Sequence, residues 1–370
     1  MKNNAIRLRH ARTPIPQILV MLIVASTRLI AQDPNPTWQL CPVQTAASLR
    51  GLCVVDDHVA WCSGAGNTVL KTTDGGQTWV DVSVQRSDSL DFRDIHAFDS
   101  STAVIISAGQ PAVIYQTTDG GANWSLRFQA NQPQAFFDAL SFRNAKDGLV
   151  MSDPVDGRIL LIATADGGQT WAEVPANQSP AAVDGEAGFA ASGTNMQVLG
   201  NRIWIALGGL VNESPNSTSR LVISPDFGQT WSSVKTPLAR NASSGIFSLA
   251  IRNTGTGAAV GGNYQAPESG RNNIAITKDF GQTWQIPSGT RPTGFRSCVA
   301  YQERGHHEAA LWVAVGPSGT DVSTDNGQNW RAVSREGFHA VAFSGNGKLG
   351  VATGTEGRIG IWRGIQTKNE

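Results

Sequence analysis

The sequence predicts an all-β fold, a closed ring of four-stranded antiparallel blades, on three observations. One eight-residue turn is written six times, short apolar strands recur between its copies, and a fragment of the turn stands alone near the N-terminus. The 40 glycines among 370 residues, set against 3 tyrosines and 4 methionines, suit a chain of many turns and short strands.

The copies of the turn are residues 72–79 (TTDGGQTW), 117–124 (TTDGGANW), 164–171 (TADGGQTW), 224–231 (SPDFGQTW), 277–284 (TKDFGQTW) and 323–330 (STDNGQNW). They reduce to Ser/Thr-x-Asp-x-Gly-x-Thr/Asn-Trp. The Asp accepts hydrogen bonds from backbone N–H groups of its own turn, and the Ser/Thr hydroxyl ties into the same loop. The fixed Gly supplies a positive φ, and the Trp buries a large ring at the start of the next strand. The stretch is similar to the Asp-box, or BNR repeat, the hairpin turn of Asp-box β-propellers.

The closing residues Trp79, Trp124, Trp171, Trp231, Trp284 and Trp330 lie 45, 47, 60, 53 and 46 residues apart, close to the length of a four-stranded propeller blade. Blade one reads as strands at 49–54, 59–64 and 68–71, and blade two as strands at 92–98, 103–107 and 112–116. Blades three, five and six begin at 136–142, 245–249 and 295–301. Blade four is the least regular, read as 189–194 with 196–199, then 202–207 and 219–224. Its long interval holds polar insertions at 178–186 and 211–218, and blade five carries a loop at 265–273. Loops on a propeller face are where specificity usually resides.

Three more strands, 338–343, 349–353 and 358–362, follow the sixth turn, and no further turn closes them. The missing outer strand stands at the other end of the chain, where Thr37-Trp38-Gln39-Leu40 carries the Thr-Trp of a turn with no turn before it. The N-terminal segment is therefore expected to supply the outer strand of the seventh blade and join the chain ends, leaving no open sheet edge between first and last blades. Six turns make a seven-bladed β-propeller, spanning 32–364, with a C-terminal tail at 365–370.

Residues 1–31 read as a signal peptide. Lys2, Arg7, Arg9 and Arg12 precede an apolar run at 18–25 that is far shorter than the roughly 20 residues of a membrane span. Cleavage after Ser26 and after Ala31 both fit, and an uncleaved segment would act as an N-terminal anchor. Either way the protein is expected to be exported, periplasmic or extracellular, with no integral span after the signal peptide. Among Cys41, Cys53, Cys62 and Cys298, the pair Cys53 and Cys62 flanks a hairpin and is the best disulfide candidate, the register deciding it. The alternative is four small buried residues, and the spacing matches no zinc site. The 29 basic residues balance the 29 acidic ones, so no net field points to nucleic acid.

The Asp of each turn is a structural carboxylate and the Trp a packing element; neither is read as a site. Better candidates come from aligning the starts of the innermost strands, which line the central channel and its entrance. The position after the leading apolar residue reads Arg50, Arg93, Phe137, Ala190, Phe247, Arg296 and His339. A basic mouth of Arg50, Arg93, Arg296 and His339, with Asp94 and Asp138 nearby, would suit an anionic ligand or a docking protein, since Arg presents a planar fork to carboxylate or phosphate. Mutual pairing of solvated charges is the plainer reading. A second cluster, Asp153, Asp156 and Arg158, interrupts blade three. With Glu186, Arg220 and Tyr264 from the loops of blades four and five it would make a polar pocket, unless local turns and salt bridges absorb it.

Sialidases share the Asp-box, and their chemistry needs an acid/base carboxylate, a Tyr nucleophile and Arg residues for the sugar carboxylate. Only Tyr264 of the three tyrosines is loop-placed. The Arg-Ile-Pro signature of sialidases is absent, and those enzymes have six blades. The glycine-rich run at 255–262 joins two strands and opens no helix to receive a pyrophosphate. The residues His306-His307-Glu308 read as a solvated loop. No cofactor and no metal is expected.

The chain resembles the bacterial WD40/YVTN/BNR-like propellers and is similar in particular to the photosystem II assembly and stability factor family. Its blades read Leu/Phe-Arg-Asp-Ile, then an apolar Ala/Gly-rich strand, then Thr-Thr-Asp-Gly-Gly-x-Thr-Trp. Residues 92–95 and 72–79 carry that pattern here, while Phe137, Ala190 and Phe247 interrupt the basic ring. The resemblance implies a non-catalytic assembly factor that binds a protein partner through a charged face, and the protein is expected to be a monomer. A glycan hydrolase using Asp153, Asp156, Glu186 and Tyr264 is the alternative.

Overall fold

The computed structural model describes residues 37–209, 217–304 and 309–364, together with Met1. Residues 2–36, which hold nearly all of the signal peptide expected at 1–31, most of the loop at 211–218, the His306-His307-Glu308 stretch and the tail at 365–370 lie outside the described residues.

Each repeat folds into one antiparallel sheet whose strands follow chain order from inner to outer edge. Blade one comprises Leu49–Val54, Ala60–Gly64, Val69–Thr72 and Val80–Asp81, and blade two Asp91–Ala97, Ala103–Ala108, Val113–Thr117 and Ser125–Gln129. Blades three, four and six are also four-stranded, with inner strands Phe137–Phe142, Met196–Leu199 and Cys298–Gln302. Blade five has three strands, and its outer edge is reduced to a single bridge between Ile276 and Gln285. The seventh sheet runs from Ala340–Phe343 through Gly350–Thr353 to Ile359–Trp362, and its outer strand is Trp38–Cys41, with Trp38 opposite Trp362 and Cys41 opposite Ile359. The fold is the seven-bladed, all-β propeller that the sequence predicts, closed by the N-terminal strand.

The core lies between the blades. Seven buried clusters each draw side chains from two neighbouring sheets, including one that joins blade seven to blade one through Leu49, Leu70, Val351 and Ile361. Trp38 shows why the closing strand holds. It is 3% exposed, packs against Trp362 and Phe338, and donates from Nε1 to Thr320 Oγ1 of blade six at 3.0 Å.

The repeated turn has the same hydrogen-bond pattern in every copy, an Asn amide replacing the Thr hydroxyl in the second and sixth. In the first, Thr72 Oγ1 donates to Asp74 Oδ1 (2.8 Å) and accepts from Gly76 N (3.0 Å), while Thr78 donates to Asp74 through its N–H and its hydroxyl (2.9 and 2.6 Å). Those donors, the Thr78 hydroxyl first, hold the Asp74 carboxyl down at about 2. The aspartates are thus saturated by their own turns.

Two local readings change. Cys53 pairs with Trp61 and Cys62 with Leu52, so the two cysteines sit on opposite faces of their hairpin and all four thiols are free. In blade four only Met196–Leu199 forms the inner strand. Residues 189–194 leave the sheet and cross the channel instead. Arg50 of blade one donates to Ala191 O and Arg93 of blade two to Ala190 O. On the far side Ser192 Oγ donates to Ser297 O of blade six, and Thr194 Oγ1 to Ser248 Oγ of blade five (2.6 Å). This crossing segment plugs the channel and divides it into two cavities.

Candidate functional site at the channel mouth

The site is built from a defect in the strands. In blades one, two, three and five the inner strand slips register over one residue, and the residue skipped is Arg50, Arg93, Asp138 or Phe247. A bulge of this kind leaves one residue unpaired and re-aims its side chain. The bulge places Asp138, not Phe137, in the position of Arg50 and Arg93. The blade-three alignment is therefore offset by one, because Phe136 precedes the strand and Phe137 takes the leading apolar place.

A cavity of about 490 Å³ opens at this end of the channel, lined by Arg50, Arg93, Asp153, Tyr264 and His339 among others. Arg93 donates from Nε to Asp91 Oδ2 (2.7 Å) and lies over the Phe136 ring. Arg50 is half-buried; burial first, and then the like charge of Arg93, push its pKa down. His339 shares a hydrogen bond with Ser48 Oγ (3.1 Å), and burial followed by Arg50, Arg93 and Arg358 lowers its imidazole to about 3, so it is neutral at ordinary pH. Across the cavity stands an aromatic wall that the alignment did not single out. Phe189 stacks on Phe247 at 3.9 Å, Phe295 meets Phe247 edge-on, and Tyr264, 46% exposed, meets both stacked rings edge-on.

The acidic candidates lie deeper. Asp138 is fully buried and receives no hydrogen bond from an N–H or hydroxyl donor among the described residues. Burial and the facing Asp153 push its carboxyl well above the usual range, and burial takes Asp153 up to about 6 against the Gly188 N–H that it accepts at 2.7 Å. The two carboxyls lie side by side at Gly188, and burial holds Asp138 in its neutral form. Asp94 does not line the cavity. It accepts from Ile95 N and Leu140 N, clamping blade two to blade three, and burial raises it to about 8.

Arg296 is not brought to the mouth. It is fully buried and forms an ion pair with Asp321, its Nε donating at 2.7 Å, and its remaining donors reach Phe295 O, Ser318 Oγ and Thr293 Oγ1. Asp321 could have been suspected from the sequence, since an Asp inside an apolar third strand needs a cation beside it. The blade three-to-five pocket does not assemble as one site. Asp156 is exposed at a left-handed turn (φ 50°), and Arg158 is spent on Ser179 O at 2.6 Å. Glu186 is buried between Arg220 (2.7 and 2.6 Å) and Arg240 (2.9 Å). Only Asp153 and Tyr264 of that group face the mouth cavity. Among the described residues no group of three or more His, Cys, Asp or Glu side chains could hold a metal ion.

Comparison with known proteins agrees with this architecture. The family described as photosynthesis system II assembly factor YCF48 matches residues 30–135. The photosystem II assembly protein Ycf48 of Thermosynechococcus vestitus is 25% identical over 328 residues, covering 77% of this chain and 84% of its own. The photosystem II assembly lipoprotein Ycf48 of a Picosynechococcus species is 24% identical over 343 residues, covering 80% and 91%. Among solved structures, YCF48 bound to D1 peptide superimposes with a TM-score of 0.61 at 18% identity, covering 89% of this chain and 97% of that one. A GH74 xyloglucanase from Xanthomonas campestris gives 0.58 at 15% identity, over 87% of this chain and 53% of the enzyme, a likeness of fold alone. The chain is a seven-bladed BNR, or Asp-box, β-propeller similar to the photosystem II assembly factors.

Proposed function

We propose that the protein is an exported, non-catalytic scaffold of assembly-factor type that binds a protein partner or an anionic ligand at the channel mouth. The observation that carries this reading is the convergence of Arg50, Arg93 and His339, from blades one, two and seven, on one cavity. Similarity to the Ycf48 assembly proteins supports a partner rather than a substrate, and a structural neighbour solved with a peptide supports a peptide ligand. Export rests on the basic and apolar N-terminal segment; one relative is named a lipoprotein, and no helix among the described residues is long and apolar enough to cross a membrane.

The glycosidase alternative loses its groups to structural roles. Glu186 is saturated by two arginines and Asp156 stands apart from the cavity, so of the four residues of that reading only Asp153 and Tyr264 reach the mouth. Crosslinked capture from the native host tests the reading. Arg50→Glu combined with Arg93→Glu is expected to lose the partners held by the parent at an unchanged melting temperature; capture that survives the double reversal rejects the basic mouth. Arg296→Glu is unsuited to this test, since it would strand Asp321 in the core.

A further inference from the structure

We propose that the mouth selects a peptide segment in which a carboxylate lies next to an aromatic or large aliphatic side chain. This rests on the protein-binding reading above and names the chemistry of the partner.

The cavity has two unlike walls. On the basic side Arg50 has no carboxylate partner within ion-pair distance among the described residues, and its hydrogen bond goes to a backbone carbonyl, Ala191 O, at 3.3 Å. Arg93 beside it is matched by Asp91, and His339 is neutral, so the unmatched charge is that of Arg50. Asp153 lines the same cavity but, among the described residues, lies within ion-pair distance of neither arginine, its carboxyl accepting from Gly188 N instead. A ligand carboxylate would relieve the repulsion between the two arginines and occupy a guanidinium fork in a half-desolvated site.

On the other side Phe189, Phe247, Phe295 and Tyr264 form a continuous ring cluster with Ala191 at its foot. Tyr264 contributes the accessible surface, and an aromatic ring half open to water is the kind of anchor that gains most from an apolar side chain laid against it. A cavity of about 490 Å³ holds one or two side chains, not a folded surface. The plug formed by residues 189–194 closes the channel beneath it, so a segment can enter the mouth but cannot thread the ring.

Fluorescence anisotropy with a labelled, end-blocked hexapeptide carrying a central Glu-Phe pair tests this, beside one peptide with Ala for the Phe and another with Gln for the Glu. The Glu-Phe peptide is expected to bind about tenfold or more tighter than either control. Tyr264→Ala should remove the preference for Phe while leaving the Glu-Ala affinity in place, and Arg50→Ala should remove the preference for Glu over Gln. Equal binding of the Glu-Phe and Glu-Ala peptides overturns the pairing but leaves an anion-binding mouth standing. Binding of neither acidic peptide also overturns it, and the partner reading is then judged separately by the charge-reversal capture.

Discussion

Asp138 occupies a ring position that two other blades give to arginine, and the exchange has a consequence that can be measured. Its buried carboxyl is raised in the folded state and ordinary in the unfolded chain. The native state therefore holds a proton that the unfolded chain releases near pH 4, and the stability this provides is lost as pH rises through the folded values, about 6 for Asp153. Two histidines, His96 lowered to about 4 and His339 to about 3, act the other way below their ordinary range, so the parent protein alone gives a mixed profile. The comparison that isolates the dyad is Asp138→Asn against the parent. Its melting temperature relative to the parent is expected to rise from pH 4 to pH 8, and a flat difference would show that Asp138 is not held protonated in the fold. Glu186 is a residue of the opposite kind, a buried carboxylate with two cations. Glu186→Gln should cost about 3–5 kcal/mol in denaturant unfolding, because Arg220 and Arg240 would be left without their counter-charge. If Glu186 were instead an acid/base catalyst, the change would leave stability near that of the parent.

At the scale of the element, the repeated turn explains both its own regularity and its exceptions. It needs two successive positive φ values, at Gly120 (76°) and Gly121 (90°) in the second copy. The sixth copy places Asn326 (56°) before Gly327 (81°), a left-handed residue with a Cβ. Asn326→Gly is expected to raise stability by up to about 1 kcal/mol, the strain released outweighing the added freedom of the unfolded chain. The reverse change in the second copy is costly on two counts. A Cβ on Gly121 would stand 2.6 Å from Val82 Cβ, in a conformation that L residues resist, so Gly121→Ala should lose about 2 kcal/mol or more by thermal melting. The bulge at the start of the inner strands is the second repeated device, and it serves the site rather than the sheet. It turns Arg50 and Arg93 out of the ladder and toward the cavity, a direction that strand alternation alone would not predict.

At the scale of the whole molecule, one closing strand and one crossing segment settle the shape. Trp38–Cys41 completes blade seven, and removal of residues 33–42 is expected to lower the melting temperature sharply; an unchanged value would mean that the ring is held without it. The crossing segment at 189–194 converts a channel into a floored cavity and supplies the carbonyls that orient Arg50 and Arg93. Binding at the mouth therefore engages a floor shared by blades one, two, five and six, whereas the opposite end of the channel holds a separate cavity lined by Leu249, Val299 and Val341.

The blade count, the strand order and the ring closure were legible in the sequence, because each depends on short-range patterns: a turn that fixes its own hydrogen bonds, strands that alternate around it, and a stray Thr-Trp at the far end. The mouth was legible only in part. Arg50, Arg93 and His339 could be named from their position after a leading apolar residue, but Arg296 occupies the same place in the pattern and is buried. What separates them is a partner 25 residues away, Asp321, whose charge draws the guanidinium inward. The aromatic wall and the Asp138–Asp153 pair were equally out of reach, since their members come from different blades and from a segment that leaves its own sheet. Local hydrogen bonding and periodicity determined the propeller; the direction each side chain takes at its mouth was decided by long-range burial and charge pairing, which only the closed ring brings together.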